Sequence, residues 1–259
     1  MSVQYSQRRG RLRLLLAGLL LLASTTPGQA PCAEPLRMLT NDNPPFSIID
    51  AGQHVSGISA DVVVEMARRA QVPATIEHYP WPRAYEMALN EADACIFSTS
   101  RSADREALFQ WIGPIAANSW ALFARRDFDR AVPNLDAARG LVIGGQLQEA
   151  KALYLKQLGL AVDTLPDDDL NPRRLAEGRI DLWVTGLDTA RMKAAAKGVT
   201  GIKPVLVFRN VETYLACNPA VRRDTIELLR RALDAMRADG KLAAISQHYA
   251  DLVMPPPIN

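Results

Sequence analysis

The chain has 259 residues, with 30 Lys and Arg against 28 Asp and Glu. Outside the N-terminus this balance leaves no basic stripe of the kind that binds nucleic acid or an anionic membrane surface, so neither partner is expected. The length suits one large domain or two modest domains with real cores.

The N-terminus has the pattern of a secretory signal peptide. Four arginines precede the apolar run 14–23, which is too short to span a bilayer comfortably. Residues 1–33 are therefore assigned to a signal that is removed near Ala30 or Ala33, with an uncleaved anchor as the alternative. Removing four arginines from the 30 basic residues leaves 26 against 28 acidic residues.

The first half of the chain alternates strand and helix patterns. A loop broken by prolines, with a hairpin-like turn around Gly52 and Gly57, follows the first strand. The predicted elements are a strand at 36–40, a helix at 59–70, a strand at 74–80, a helix at 81–90 and a strand at 94–100. Such alternation predicts an α/β protein with a mainly parallel sheet and helices on both faces.

The second half begins with an extended crossing at 115–125, after Pro114, and repeats the alternation. An amphipathic helix at 224–238 is expected to end at Gly240, and the Pro-rich tail 251–259 predicts loose chain. The remaining predicted elements are a strand at 141–145, a helix at 147–158, a strand at 161–166, a helix around 172–177 and strands at 180–186 and 211–218.

Hydroxyl side chains and arginines gather after the strand at 94–100. Ser98 and Ser100 end the strand, and Ser102 precedes Arg105 in an S-x-x-R spacing. Hydroxyl donors beside a guanidinium suit a small carboxylate, because the planar fork of Arg matches two carboxylate oxygens. Ser102 also fits the role of a helix N-cap, and both roles are compatible.

The run 41–70 together with the run 98–106 resembles the bacterial extracellular solute-binding proteins of family 3, the amino-acid-binding class of periplasmic receptors. The resemblance covers nearly the whole mature chain. It implies a two-lobed periplasmic-binding fold with two hinge crossings, in which lobe 1 is 36–115 plus 213–250 and lobe 2 is 116–212. The family's S/T-x-x-R arginine holds the ligand's α-carboxylate, which implies that role for Arg105, with Ser98, Ser100 and Ser102 as hydroxyl donors.

The resemblance implies further ligand contacts. Asn43 stands where the family often has an aromatic wall, and Trp81 falls near its second aromatic position. Arg83 places a cation beside that ring, where stacking or a cation–π contact with ligand is one reading and packing at the domain edge is the other. Gln146, after a Gly pair, takes the place of a Ser or Thr that touches the carboxylate in the family.

One departure from the family concerns the ammonium group of an amino-acid ligand. The family's aspartate partner would fall at Gly186, so either Asp188 or another acid serves, or the ligand is not an ordinary α-amino acid. The alternative role for Asp188 is capping the next helix. An ammonium without a carboxylate partner in a dry cleft would be costly.

Two cysteines of the mature chain, Cys95 and Cys217, lie on predicted strands. In an oxidising compartment they would form a disulfide or remain as two buried thiols. The fold implied by the resemblance makes these strands antiparallel neighbours and puts both cysteines away from the ligand end.

These features predict a monomeric periplasmic receptor that closes over a small polar carboxylate, an amino acid or a relative, and docks on an inner-membrane ABC permease. We expect no cofactor, no metal and no catalysis, since the three histidines are scattered and no nucleophile or phosphate-binding motif occurs. Two other functions share the fold: a sensor module for a membrane signalling partner, and a periplasmic cyclohexadienyl dehydratase-like enzyme.

Overall fold

A computed structural model describes residues 34–253, and the predicted signal at 1–33 lies outside the described residues. Its first half follows the predicted alternation, with a small hairpin in the loop after the first strand. The elements are β1 (Leu36–Thr40), β2 (Ile48–Ile49), β3 (Val55–Ser56), α1 (Ile58–Ala70), β4 (Ala74–His78), α2 (Trp81–Asn90), β5 (Ala94–Ser100) and β6 (Gln110–Arg125).

The second half contains four further strands and five helices within the described residues. They are β7 (Ile143–Gln146), α3 (Ala150–Gln157), β8 (Val162–Leu165), α4 (Asn171–Ala176), β9 (Leu182–Gly186), α5 (Leu187–Ala196), β10 (Ile202–Cys217), α6 (Arg223–Ala238) and α7 (Lys241–Val253). No helix among residues 34–253 combines the length and apolarity needed to cross a bilayer.

Eight strands form one mixed sheet in the order β4-β1-β5-β10-β6-β9-β7-β8. The long strands β6 and β10 pair antiparallel along their lengths and stand at its centre. We call β4, β1 and β5 with their helices the first side, and β9, β7 and β8 with theirs the second side. The α/β class is as predicted from the sequence. Four of the seven strand pairings of this sheet are parallel, and the three antiparallel ones all involve β6 or β10.

Helices cover both faces of the sheet on each side. Successive residues of β1, Met38 and Leu39, enter separate buried clusters on opposite faces, as the two-residue period of a strand requires. Trp183 and Val184 of β9 do the same on the second side. Each side therefore has its own pair of cores, connected through β6 and β10.

Several predicted boundaries were wrong. The helix α3 begins at Ala150 rather than 147, because Gln148 has a left-handed backbone conformation that a helix cannot include. β6 begins at Gln110 rather than 115, and β10 at Ile202 rather than 211, because their mutual pairing holds both strands extended past Pro114 and Pro204. The pairing register shifts just after Pro204, as expected where a strand lacks an N–H donor. The helix α7 was missed, and it includes the first three residues of the predicted loose tail; residues 254–259 lie outside the described residues.

A disulfide joins Cys95 of β5 to Cys217 at the end of β10. The two residues are direct partners in the antiparallel pairing, and both are fully buried. The bond therefore fixes the end of β10 to β5, the strand of the first side that borders it.

Candidate ligand-binding site

The candidate site lies at the carboxyl ends of β1, β5, β7 and β9, where ligands bind in open α/β sheets. Asn43 follows β1, Ser98 lies near the end of β5 and Gln146 ends β7. All three line one small enclosed space together with Trp81. A second cavity, of about 330 Å³, shares Trp81, Gln146 and Lys193 with that space and extends to Tyr79 and Pro166.

Arg105 is a buried cation in this region, with 2% of its surface exposed. Its Nη2 donates to the main-chain carbonyl of Gln148 at 2.8 Å, whereas its buried Nη1 has no partner among the described residues. The guanidinium carbon lies 4.8 Å from the ring centre of Tyr85 and 5.9 Å from that of Trp81, within cation–π range. Arg105 therefore keeps an unused donor for an acceptor such as a carboxylate.

Gln148, between β7 and α3, connects the second side to the first. Its backbone has φ 59°, and its carbonyl accepts from Trp81 Nε1 at 3.2 Å as well as from Arg105. Its side-chain Nε2 donates to Glu86 Oε1 at 3.3 Å. These contacts hold α2 and the Arg105 loop against the second side.

A second set of contacts across the site involves Asn43. Thr189 Oγ1, near the start of α5, donates to Asn43 Oδ1 at 3.2 Å. A Cβ built on nearby Gly186 would lie 2.8 Å from Asn118 Oδ1 and 2.9 Å from Thr189 Oγ1. The space in which the family resemblance would place an aspartate is thus occupied by these two side chains.

Lys193 of α5 is a third connection, with 4% of its surface exposed. Its Nζ donates to the carbonyl of Asp42 at 3.2 Å and to the carboxylate of Asp169. Burial disfavours the charged form of Lys193 and so acts to lower its pKa. The nearby charges of Asp168 and Asp169 have the larger effect, and the pKa of Lys193 is raised. Burial likewise raises the pKa of Asp42, against the pull of Lys193. The protein's own Lys193 therefore already serves as a cationic partner for the acidic groups of this region.

Ser98 combines two unusual features. Its φ is 58°, a left-handed conformation that costs a non-glycine residue roughly 1–3 kcal/mol, and its buried Oγ has no partner among the described residues. Such an outlier beside a cavity suggests a functional position.

The two other predicted serines lie further along the chain. Ser100 is buried opposite Thr213 of β10, and the main-chain carbonyl of Ser102 accepts from the Arg105 N–H at 3.0 Å.

The other predicted contacts are less central. Arg83 is exposed and stacks on Tyr79, with its guanidinium carbon 4.6 Å from the ring centre. The Asp188 side chain is 47% exposed and lies 3.7 Å from Arg191. Neither Arg83 nor Asp188 lines the cavities described here, whereas Gln146 does and donates to the Pro166 carbonyl at 3.2 Å.

A further cavity, of about 250 Å³, is lined by Arg105 and is called the Trp120 cavity. Trp120 of β6 has 4% of its surface exposed, and its Nε1 has no partner among the described residues. The Arg209 guanidinium carbon lies 5.5 Å from the Trp120 ring centre and 4.9 Å from that of Tyr154. The lining residues are Ser102, Ala103, Asp104, Arg105, Trp120, Ala150, Leu153, Tyr154, Gln157 and Arg209.

Sequence reasoning missed several of these residues. Tyr85 lies one helical turn after Trp81, so the i, i+4 spacing placed both rings on one face of α2 and was a usable signal. Gln148, Lys193 and Arg209 gave no comparable signal, because their roles depend on contacts between distant segments. Within residues 34–253, no three His, Cys, Asp or Glu residues are arranged to hold a metal ion.

Solved structures with this fold include receptors of several kinds. A histidine kinase sensor domain with similarity to periplasmic binding proteins is 18% identical, with TM-score 0.79 over 84% of this chain and 96% of that one. An ancestral arginine-binding protein bound to arginine is 19% identical, with TM-score 0.75 over 83% and 97%. The GluR0 ligand-binding core from Nostoc punctiforme, in complex with L-glutamate, is 20% identical, with TM-score 0.72 over 84% and 100%.

The curated proteins contain no sequence match to this chain. A family model does match, over residues 36–251, which is almost the whole of the described chain. The structural neighbours share its fold, and the resemblance seen in the sequence is confirmed. The chain belongs to the bacterial extracellular solute-binding proteins, family 3.

Proposed function

We propose that this protein is a periplasmic receptor that binds a small carboxylate between two lobes and delivers it to an inner-membrane ABC permease. The buried, partly unsatisfied guanidinium of Arg105 is the observation that carries the proposal. An uncompensated buried cation is costly, and a bound carboxylate removes that cost by forming a charge-assisted hydrogen bond. Arg105 is thus the proposed anchor, and Ser98, which lines the small enclosed space, is a second proposed donor.

The lobes of the proposal are 36–115 plus 213–250 and 116–212, with β6 and β10 as the hinge strands. Contacts of Gln148, Thr189 and Lys193 with the opposite side support a closed arrangement. In a hinge protein of this kind, contacts from both lobes to one ligand favour closure. Closure also removes water from Arg105 and so strengthens its contact with an anion.

The binding test is a thermal-shift screen of the purified protein against amino acids, dicarboxylates, aromatic acids and polyamines. A ligand at 100 times its Kd stabilises the folded state by about 2.7 kcal/mol. We expect carboxylates to raise the melting temperature and Arg105→Met to abolish the shift while the circular dichroism spectrum stays native. If the variant responds to the same carboxylate as fully as the parent, the anchor assignment is wrong.

A sensor role is the second candidate, and the similarity to a histidine kinase sensor domain favours it. Both roles use the same ligand-driven closure and differ in the partner. Copurification with a membrane permease and stimulation of its ATPase by the liganded protein would support delivery. Copurification with a membrane kinase instead would support sensing.

A further inference from the structure

The Trp120 cavity presents two buried donors without acceptors. Arg105 Nη1 and Trp120 Nε1 have no hydrogen-bond partner among the described residues, and both residues line the cavity. Buried polar groups in folded proteins are nearly always paired. Guanidinium and indole nitrogens only donate, so the missing partner is an acceptor, and an anionic oxygen fits two donors best.

The charges of the lining strengthen this preference. Arg105 and Arg209 are set against a single acid, Asp104, which is exposed. Neither arginine forms an ion pair with a described carboxylate within 4.0 Å. The cavity therefore favours a negative ligand, with one buried and one exposed cation.

Apart from Ser102 and Gln157, the remainder of the cavity wall is apolar and aromatic. Ala150, Leu153 and Tyr154 of α3 line it together with Trp120. The Tyr154 ring centre lies 6.1 Å from that of Trp120, and Tyr154 stacks on Phe208 with ring planes 7° apart. Rigid aromatic walls of this kind bind a planar apolar body through stacking and edge contacts. At about 250 Å³ the cavity falls just below the usual size of ligand pockets, which limits that body to a single ring.

The acidic residues Asp42 and Asp169 offer little to a ligand ammonium. Lys193 already binds the Asp42 carbonyl and the Asp169 carboxylate, and the position of the family's aspartate is filled at Gly186. A ligand without an ammonium group avoids burying that charge without a partner. The ligand chemistry is thus a carboxylate on an apolar ring.

We propose that the Trp120 cavity binds a small aromatic carboxylate that lacks an ammonium group. Its carboxylate accepts from Arg105 Nη1 and Trp120 Nε1, and its ring lies against Tyr154, with Arg209 stacked at the edge. This inference rests on the proposed function, because it uses Arg105 as the carboxylate anchor. Beyond the proposed function, it specifies that the ligand's ring occupies the Trp120 cavity and that the ligand is an aromatic carboxylate.

Isothermal titration with four probes tests the ligand class. Phenylacetate carries the ring and the carboxylate, acetate lacks the ring, phenethylamine replaces the carboxylate with an ammonium, and L-phenylalanine carries both charges. We expect phenylacetate to bind at least tenfold more tightly than each of the other three. Equal binding of phenylacetate and acetate, preference for phenethylamine or L-phenylalanine, or no binding of phenylacetate at millimolar concentration would overturn the inference.

Two variants test the location. Trp120→Phe keeps an aromatic ring, though a smaller one, and removes the N–H donor. We expect it to weaken phenylacetate binding by about tenfold or more, the effect of one hydrogen bond to a charged group. Arg209→Met removes the stacked cation and should weaken it about threefold or more. Arg101→Met is the matched control, because Arg101 is also an exposed arginine stacked on Trp111 and Tyr214 but does not line the cavity.

The inference and the proposed function fail separately. If an α-amino acid binds in an Arg105-dependent way and Trp120→Phe and Arg209→Met bind it normally, the Trp120 cavity is not the site and the carboxylate receptor stands. If the parent protein binds carboxylates and Arg105→Met binds all of them with unchanged affinity, both the inference and the proposed function are wrong. Losses in the two cavity variants, with an unchanged Arg101→Met control, support the inference.

Discussion

Arg37, on β1, is held between two carboxylates at the edge of the first side. Its Nε and Nη2 donate to Glu77 at 2.8 Å each, and its Nη1 donates to Glu91. The hydrogen bonds from Arg37, assisted by one from Tyr79, lower the pKa of Glu77 to about 2 against the opposing effect of burial. The bidentate geometry makes this pair stronger than a loose surface contact.

Acid should therefore weaken the fold through Glu77. A carboxylate with a depressed pKa stabilises the folded state above its unfolded pKa, near 4.5, and this contribution disappears as the pH falls towards 2. We expect Glu77→Gln to lower the free energy of unfolding by about 1 kcal/mol at pH 7, because the pair is partly exposed, and to flatten its decline between pH 4.5 and 2.

Urea denaturation across this pH range measures the effect. Glu106→Gln is the control, because Glu106 also pairs with an arginine but is half exposed, and its change should be smaller. Parallel pH profiles for the parent protein and Glu77→Gln would contradict the role given to this pair.

At the residue level, the sequence predicted those site residues that belong to a short local motif. The spacing of Ser102 and Arg105 and the position of Trp81 led to residues that the structure brings near one another. It did not indicate that the Gln148 carbonyl meets both Arg105 and Trp81, because a backbone group has no sequence signature. The sequence also provided no indication that other side chains fill the space beside Gly186, because Asn118 and Thr189 come from other segments of the chain.

Among the elements, the disulfide between β5 and β10 is expected to be a major source of stability. It closes a loop of 122 residues between two fully buried cysteines. Removing a native disulfide costs typically 2–5 kcal/mol. The double variant Cys95→Ala, Cys217→Ala should lose stability in that range, and dithiothreitol should bring the parent protein to the same level.

Urea denaturation with and without reductant measures this loss. The double variant is its own control, because its midpoint should not respond to dithiothreitol. A parent protein whose denaturation midpoint is unchanged by complete reduction would show that the bond adds little to the fold.

The predicted elements succeeded where pattern and pairing agree and failed where tertiary contacts decide. The helix α2 and the strand β5 have the predicted bounds because each carries its full pattern locally. β6 and β10 extend past their prolines only because each pairs with the other. In α7, Ile245 and Tyr249 pack on the main core, and their four-residue spacing was an unused helical signal.

At the scale of the molecule, Lys193 is expected to hold the two sides together. Its Nζ donates to the Asp42 carbonyl on the first side and to the Asp169 carboxylate on the second. The substitution Lys193→Met removes this contact across the site and leaves Asp169 without its buried cationic partner. We expect the variant to have a larger radius of gyration by small-angle X-ray scattering in the absence of added ligand.

Lys197→Met is the matched control for this experiment. Lys197 also pairs with Asp169, at 2.7 Å, but from a position that is one third exposed, so its loss should leave the dimensions of the protein nearly unchanged. Identical scattering from the parent protein and Lys193→Met would show that other contacts suffice to keep the sides closed.

The bond between Cys95 and Cys217 also bears on how damage to this protein would be detected. The 122-residue loop contains β6 to β9 and nearly all of β10. A protease that cuts once anywhere between the two cysteines releases no fragment, because both pieces stay covalently joined. On a non-reducing gel the nicked molecule keeps the mass of the intact one, and only reduction separates the pieces. A single cut in this loop therefore leaves one covalently joined molecule.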